Sequence, residues 1–271
     1  KIWHHKTSKS IDISSDPYHD SYELYYLVSG EQYFFVKDKT YYIKSGDLVF
    51  VEAGALHKIM PTKIHTHESI KINFSRKFFN HFIKEILAIN SNVPLPFDNY
   101  PNVIRFSDDN QKTIEDIFHK VMAECSCKKR GHALYIKILM IELFIFLIRT
   151  LEESPHLYLV HPSPLHNKIS DIIRYINNNY DHNLSLISLS EKFNISPYYL
   201  SRVFKEITGF SYTEYISILR IKKAKELLMK TQLNVTEIAK MIGYNNINQF
   251  GRIFKNMTGI PPTAFRKANN I

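Results

Sequence analysis

Side chains that can bind nucleic acid recur in two short segments of this sequence. Residues 200–209 and 250–259 share five of their ten positions at an offset of 50, among them Arg202 and Arg252. Arg, Asn and Ser on the outer face of a helix can form hydrogen bonds with base edges in the major groove of DNA, and a Lys one turn further suits phosphate. The repeated segments therefore predict two DNA-reading surfaces.

A short helix and a tight turn are predicted before each copy, so that residues 185–209 and 234–259 form two helix-turn-helix units. In the second helix of each unit, apolar residues at positions i, i+3, i+4 and i+7 predict one buried face. These residues are Leu200, Val203, Phe204 and Ile207 in the first unit and Phe250, Ile253, Phe254 and Met257 in the second. A solvated helix face would explain one such pattern, but its repetition favours a binding role for the outward-facing polar residues.

The positive charge of the chain is concentrated around these units. Residues 165–271 hold 15 Lys and Arg against 7 Asp and Glu, a net charge of +8, whereas residues 1–164 hold 20 against 19, a net charge of +1. A basic domain of this kind predicts a polyanionic partner, most simply double-stranded DNA.

A long helix is predicted between the two units, from Ser211 to Lys230. Its 20 residues would span about 30 Å. Successive major grooves on one side of DNA are about 34 Å apart. A rigid helix of this length can therefore hold two reading helices at adjacent grooves, and the tether makes the second contact effectively intramolecular.

The region from Ser185 to Lys267 resembles the AraC/XylS family of bacterial regulators over about 85 residues. The matching elements are Leu189-x3-Phe193-x-Ile195-Ser196-x2-Tyr199-Leu200-Ser201-Arg202-x-Phe204-Lys205-x2-Thr208-Gly209, Arg220-x3-Ala224-x2-Leu227-Leu228, Ile238-Ala239-x3-Gly243-Tyr244-x5-Phe250-x-Arg252-x-Phe254-Lys255 and Pro262-x2-Phe265-Arg266. The resemblance implies a sequence-specific transcription regulator, and it also implies which residues contact DNA.

The residues expected at base edges are Tyr198, Ser201, Arg202, Asn248 and Arg252. The residues expected at phosphates are Ser196, Lys205, Asn246, Gln249 and Lys255. Gly251 departs from the side-chain-bearing residue often found at its position, which leaves the second unit with fewer groups for reading bases. The resemblance also implies structural roles for Gly243 and Ala239, which would let the two helices of the second unit approach closely.

The first hundred residues have a β pattern. Runs rich in Tyr, Phe, Val and Ile at 23–28, 32–36, 40–43 and 47–51 are separated by turn residues, which is typical of a small barrel or sandwich. A helical period begins near Asp108, and a second, strongly apolar helix is predicted at 133–151. The fold class is therefore α+β: an N-terminal β-barrel with two following helices, then an all-α tandem helix-turn-helix domain.

Two histidines and a glutamate carry a second resemblance, to the cupin β-barrels. The elements are His19-x3-Glu23-x6-Gly30 and Gly46-x7-Gly54-x2-His57, with departures from the metal-binding pattern at Pro17, Glu52 and Pro61. The three residues could form a two-histidine, one-carboxylate metal site. We instead expect an organic effector and no metal or other cofactor, in a pocket lined by His19, Glu23, Tyr25, Tyr33, Phe35 and His57. Several aromatic and a few polar groups suit a sugar or another polar metabolite.

Apolar residues surround most of the 133–151 helix, which predicts a homodimer contact in addition to packing on the barrel. Complete burial within one chain is the alternative. The two cysteines, Cys125 and Cys127, exclude a disulfide scaffold and fit a reducing compartment, so we expect a cytoplasmic protein. No run of about 20 apolar residues is present, so no membrane partner is expected.

Three prolines between Glu153 and Pro164 predict the boundary between the domains. We expect an effector-binding and dimerisation domain at 1–155, a linker at 156–166 and a DNA-binding domain at 167–271. The predicted function is regulation of transcription, as an activator that responds to a small polar metabolite, with RNA polymerase as a further candidate partner and without enzymatic activity. The alternatives are a cupin metalloenzyme fused to a DNA-binding domain and an architectural DNA binder without an effector.

Overall fold

The computed structural model describes residues 1–7, 17–62, 66–89, 102–153 and 164–269. The chain divides into two compact units, Lys1–His161 and Pro162–Ile271. Residues 156–163 of the predicted linker lie outside the described residues, and residues 164–166 already belong to a helix. No helix within the described ranges is both long and apolar enough to span a membrane.

Two antiparallel sheets make up the β part of the first unit. Their strands are β1 (Ile2–Thr7), β2 (Ser21–Ser29), β3 (Glu31–Val36), β4 (Lys39–Lys44), β5 (Asp47–Val51), β6 (His57–Pro61), β7 (His67–Ser75) and β8 (Val103–Arg105). The strand order is β1-β7-β2-β5-β8 in the larger sheet and β4-β3-β6 in the smaller one. The four strands expected from the sequence are confirmed as β2 to β5.

Strand β2, within the larger sheet, is buried on both faces. Tyr25 and Leu27 of β2 point into a core between the two sheets, where they meet residues such as Phe34. Leu24 and Tyr26 point to the opposite face and pack against helices. This double burial explains why β2 is almost continuously apolar rather than alternating.

Three helices cover the outer face of the larger sheet: α1 (Arg76–Ile89), α2 (Asp108–Cys127) and α3 (His132–Glu153). Helices α2 and α3 confirm the two predicted helices. The interpretation of the first hundred residues as β is wrong at α1, where Phe79 and Phe82 are buried against the sheet one helical turn apart. The sequence carries a signal for this helix, because apolar residues recur there at helical and not at strand spacing.

Seven helices form the second unit within residues 164–269. They are α4 (Pro164–Asn179), α5 (Leu186–Lys192), α6 (Pro197–Thr208), α7 (Tyr212–Lys230), α8 (Val235–Met241), α9 (Ile247–Thr258) and α10 (Pro262–Asn269). The predicted N-caps Ser185, Ser196 and Asn234 are confirmed, since each side-chain oxygen accepts a hydrogen bond from a backbone N–H in the first turn. Helix α4 begins four residues before its predicted start at Lys168.

The repeated Thr-Gly pair ends each second helix in the same way. The Thr208 hydroxyl donates to the Phe204 carbonyl over 2.7 Å, and the Thr258 hydroxyl donates to the Phe254 carbonyl over 2.8 Å. The glycine that follows each threonine has a φ of 77° or 80°, a left-handed conformation that favours glycine. Part of the repeat is therefore a structural requirement of the helix end.

Arg220 and Gly243 join three segments of the second unit. Arg220, in the middle of α7, donates to the carbonyls of Tyr180 and His182 over 2.8 and 2.9 Å. A Cβ atom on Gly243 would lie 2.6 Å from the Asp181 carbonyl oxygen. The absence of a side chain at Gly243 thus leaves room for the loop after α4. The family resemblance had implied only a close approach of the two helices of the second unit.

Candidate DNA interface and effector site

The first candidate reading helix is α6. It is amphipathic, because Leu200, Val203, Phe204 and Ile207 are all buried as predicted. Its outer face carries Tyr198, whose side chain is 82% exposed, and Arg202, whose guanidinium lies 5.4 Å from the ring centre of Tyr199. This cation–π contact pairs the exposed guanidinium with a ring one helical turn earlier.

The second candidate reading helix is α9. Phe250 and Phe254 are buried in the core that α9 shares with α7, α8 and α10, and Ile253 packs against that core. The predicted burial of Met257 is wrong, because its side chain is 38% exposed. Helical spacing predicts which face points inward but not where the partner helices end, and the core cluster ends one turn before Met257.

All ten predicted DNA contacts are exposed on the second unit. They are Ser196, Tyr198, Ser201, Arg202, Lys205, Asn246, Asn248, Gln249, Arg252 and Lys255. Exposure makes them available to a partner, and their positions divide them between the two candidate reading helices. Both helices belong to one compact unit, so their outer faces have a defined relation to each other.

Two of the predicted phosphate contacts also cap these helices. The Ser196 hydroxyl oxygen accepts from the Tyr199 N–H over 3.3 Å. The Asn246 Oδ1 atom accepts from the N–H groups of Asn248 and Gln249 over 2.9 and 3.1 Å. Contact with phosphate would therefore use the hydroxyl proton of Ser196 and the Nδ2 protons of Asn246, since the capping oxygens already accept backbone N–H groups.

Glu23 is the centre of a buried polar cluster in the first unit. Its side chain is 1% exposed. One carboxylate oxygen, Oε2, lies 2.9 Å from His19 Nε2 and 3.0 Å from Lys71 Nζ. The other, Oε1, lies 4.0 Å from His57 Nε2. The structure thus brings the predicted residues His19, Glu23 and His57 together.

Backbone carbonyls orient both imidazoles of this cluster. His19 Nδ1 lies 2.8 Å from the Ser21 carbonyl oxygen, and His57 Nδ1 lies 3.0 Å from the Ala55 carbonyl oxygen. Since a carbonyl only accepts, each Nδ1 carries a proton, and each Nε2 faces Glu23. The neutral form of His57 therefore presents an unprotonated nitrogen to the carboxylate.

Three buried atoms near this centre have no hydrogen-bond partner among the described residues: Glu23 Oε1, His57 Nε2 and Asn73 Oδ1. All three are acceptors. Buried polar atoms are normally paired, so a group that brings donors or positive charge would complete the cluster. Asn73 belongs to it because its amide Nδ2 lies 3.4 Å from both His19 Nε2 and Ser21 Oγ.

Burial and neighbouring charges shift the pKa values of Glu23 and His57. Burial by itself would raise the pKa of the Glu23 carboxyl, but the His19 hydrogen bond and the Lys71 charge lower it below its usual value of 4.5. Burial lowers the pKa of His57 below its usual value of 6.5, against the opposing attraction of Glu23. The folded state therefore favours a carboxylate beside a neutral His57.

The predicted aromatic lining is only partly correct. Tyr25 is buried between the sheets, donates to Gln32 Oε1 over 2.5 Å and has its pKa raised by burial to about 12. Tyr33 is 42% exposed and packs on Tyr42, so it does not line this site. Phe35 is buried, but strand alternation places it on the face of β3 opposite Phe34, away from the core that contains Tyr25.

Lys71 and Asn73 were missed by the sequence reasoning. Both lie on β7, which pairs antiparallel with β2 so that Asn73 is directly opposite Glu23. The polar residues at 71, 73 and 75 alternate with apolar ones, which was a signal for one polar strand face. Their contact with Glu23 required knowledge of the strand pairing.

Comparison with known proteins gives two family matches. The AraC-like ligand binding domain matches residues 15–144, and a helix-turn-helix domain matches residues 189–268. The Msm operon regulatory protein of Streptococcus mutans is 31% identical over 133 residues, 48% of either chain. The Arabinose operon regulatory protein of Escherichia coli is 26% identical over 175 residues, 62% of this chain and 58% of the relative.

A solved structure of part of a regulator is also similar. The C-terminal domain of AraT, a response regulator from Geobacillus stearothermophilus, is 34% identical, with 41% of this chain and 91% of that chain covered and a TM-score of 0.39. The matched part of the chain spans about half the length of the two curated relatives, at 48% and 58%.

We predict that the first unit loses stability as the pH falls below about 7. His57 has a lowered pKa, so its contribution is complete above 6.5 and is lost as the pH falls through the folded-state value. The lowered pKa of Glu23 causes a further loss of stability as the pH falls below 4.5. Urea unfolding followed by the fluorescence of Trp3, the chain's single tryptophan, should show a loss of stability between pH 7 and 5 that for one histidine cannot exceed about 2 kcal/mol.

The variant His57→Gln should flatten this pH dependence, because a neutral amide takes up no proton in that range. His119→Gln, at an exposed position on α2, is the matched control and should leave the profile unchanged. A His57→Gln profile as steep as that of the unaltered chain would contradict the assignment.

Proposed function

This chain belongs to the AraC family of transcription regulators, and we propose that it binds promoter DNA through both helix-turn-helix units and responds to a small molecule held by its N-terminal domain. The observation that carries the DNA-binding part is the pair of amphipathic helices, α6 and α9, which expose equivalent arginines and lysines on one compact, basic unit. Arg202 and Arg252 are placed to read bases, and Lys205 and Lys255 to contact phosphate.

A neutral, polyhydroxylated effector such as a sugar fits the Glu23 cluster. The unpaired atoms Glu23 Oε1, His57 Nε2 and Asn73 Oδ1 accept hydrogen bonds, and sugar hydroxyls donate them. The Lys71 ammonium already lies 3.0 Å from the carboxylate, so a neutral ligand adds no uncompensated charge. The name of the Escherichia coli relative refers to the arabinose operon, which supports a sugar for this chain as well.

A metal ion is the second candidate occupant. Nitrogen and oxygen atoms of His19, Glu23 and His57 lie within 4.8 Å of one another, and the Nδ1–H groups of both histidines donate to carbonyls, as metal-bound histidines commonly do. These residues would hold a divalent ion if a metalloenzyme activity were present. The Lys71 ammonium, 3.0 Å from the same carboxylate, disfavours a second cation there.

We also propose that the chain forms a homodimer through α3. The inner face of this helix is buried, but an apolar stripe remains exposed: Leu134 by 64%, Ile138 by 49%, and Ile141 and Ile145 by 37% each. The spacing of 4, 3 and 4 residues is that of a coiled-coil seam. A second copy of the same helix supplies a matching stripe by symmetry.

A transcription regulator acts on DNA, so we expect this chain in the cytoplasm. An effector would act by preferring one arrangement of the two domains or of the dimer, and its effect cannot exceed that difference in affinity. We propose that the chain activates transcription, with RNA polymerase as a further partner.

We predict that Arg202→Ala lowers specific DNA affinity by about 1–3 kcal/mol and reduces the ratio of specific to nonspecific binding, since it removes a base contact. Lys205→Ala should weaken binding to all duplexes alike and flatten the salt dependence by about one ion. Fluorescence anisotropy with a selected duplex and a scrambled one measures both. Arg174→Ala, an exposed arginine paired with Asp171 on α4, is the control with the same loss of charge.

If Arg202→Ala left the ratio of specific to nonspecific DNA affinity unchanged, Arg202 would not be a base-reading residue. Equal affinity of the unaltered chain for selected and scrambled duplexes would instead support an architectural DNA binder.

We predict that at least one neutral sugar or polyol raises the melting temperature of the full chain by a few degrees, because binding at 100 times Kd stabilises by about 2.7 kcal/mol. Glu23→Gln should abolish the shift, and Glu124→Gln on α2 should preserve it. The parallel screen uses Fe²⁺, Mn²⁺ and Zn²⁺ with and without EDTA. A stoichiometric, EDTA-reversible metal with no response to sugars would contradict the sugar assignment and favour the metal one.

We predict that Ile138→Glu converts a dimer into a monomer, because it places a charge at the centre of the exposed stripe of α3. Sedimentation velocity measures the change. Ala123→Glu, at an exposed position on α2, adds the same single negative charge and should remain dimeric. A monomeric unaltered chain at tens of micromolar concentration would overturn the proposed interface.

A further inference from the structure

Gly251 differs from every other glycine of the chain. The sequence contains eight glycines, and seven of them adopt a positive φ. The eighth is Gly251, in the second turn of α9, with ordinary helical geometry. The backbone conformation at this position therefore gives no reason for a glycine.

Packing inside the chain gives no reason either. A Cβ atom built on Gly251 would meet no atom within 4 Å outside the local helix backbone. At Gly243, by contrast, a Cβ would collide with the Asp181 carbonyl at 2.6 Å and with Arg220 at 2.7 Å. Glycine weakens a helix interior relative to alanine, so α9 carries a destabilising residue that the folded chain does not require.

The position of Gly251 on α9 indicates why a glycine is present there. Asn248, Arg252 and Lys255 are exposed around it on the outer face of α9, so the glycine is the centre of the proposed DNA-reading surface. The equivalent position in α6, 50 residues earlier, is Ser201. The second reading helix thus has a gap where the first has a side chain.

We propose that Gly251 is the point at which the backbone of α9 approaches the base pairs most closely, and that the missing side chain is a specificity determinant of the second unit. A bare Cα admits an apolar base-edge group, and the thymine C5-methyl is the one that the major groove offers. Any side chain there would hold the helix further from the groove and lengthen the contacts of Asn248 and Arg252. This inference rests on the proposed DNA-binding function.

The test compares stability and DNA affinity in the same variants. Gly251→Ala should raise the melting temperature by about 2–4 °C, because alanine favours the helix and meets no clash. The same variant should bind a duplex selected from a random library by the unaltered chain about 10-fold more weakly, with nonspecific binding unchanged. Gly251→Ser, which introduces the residue of the first unit, should also weaken specific binding.

Asn178→Ala, at an exposed position on α4, is the matched control. It also improves helix propensity, but it lies outside both candidate reading helices, so it should preserve DNA affinity. Replacing single thymines by deoxyuracil in the selected duplex locates the methyl contact. One position should weaken binding of the unaltered chain and have little effect on Gly251→Ala.

Two results are distinguishable. A more stable Gly251→Ala variant with undiminished specific affinity would overturn the role of Gly251 while leaving the proposed DNA-binding function intact. An unaltered chain that selects no sequence at all would overturn both.

Discussion

Helix α7 contributes to two hydrophobic cores, and the relation between the two candidate reading helices depends on it. Near its start, the Tyr215 ring packs 5.4 Å from Phe204 of α6. Near its end, Ala224 and Leu228 are buried with Phe250 and Phe254 of α9. Its 19 residues span about 28 Å, close to one turn of DNA. A change at either end would alter how the two helices match adjacent grooves.

Arg220 makes this shared helix rigid at its middle. It bonds to two carbonyls of the loop after α4, and its guanidinium lies 5.1 Å from the Tyr244 ring centre, in the turn of the second unit. The single guanidinium therefore links α7 both to the loop after α4 and to the turn of the second unit. Rigidity matters energetically, because two modest contacts reinforce each other only when their spacing needs no adjustment on binding.

The DNA-binding unit was largely predictable because its signals are local. Caps such as Ser196, the Thr208-Gly209 ending and the spacing of Phe204 all lie within one helix or turn. The effector site was predictable only within one segment: His19 lies two residues before β2 and Glu23 lies on it, but Lys71 joins them through pairing with a distant strand. Tyr33 and Phe35 were misplaced because a strand that is largely buried does not reveal which face points to the ligand. Met257 was misplaced because periodicity carries no information on where a core ends.

Simultaneous reading by both helices is tested most directly by hydroxyl-radical footprinting of the full chain on a duplex that it has selected from a random library, combined with base-substitution profiles of the same duplex. Two sequence-constrained segments should be protected on one side of the DNA, about 10 base pairs apart, one for α6 and one for α9. A single constrained segment, or protection that does not depend on sequence, would contradict the coupled action of the two units.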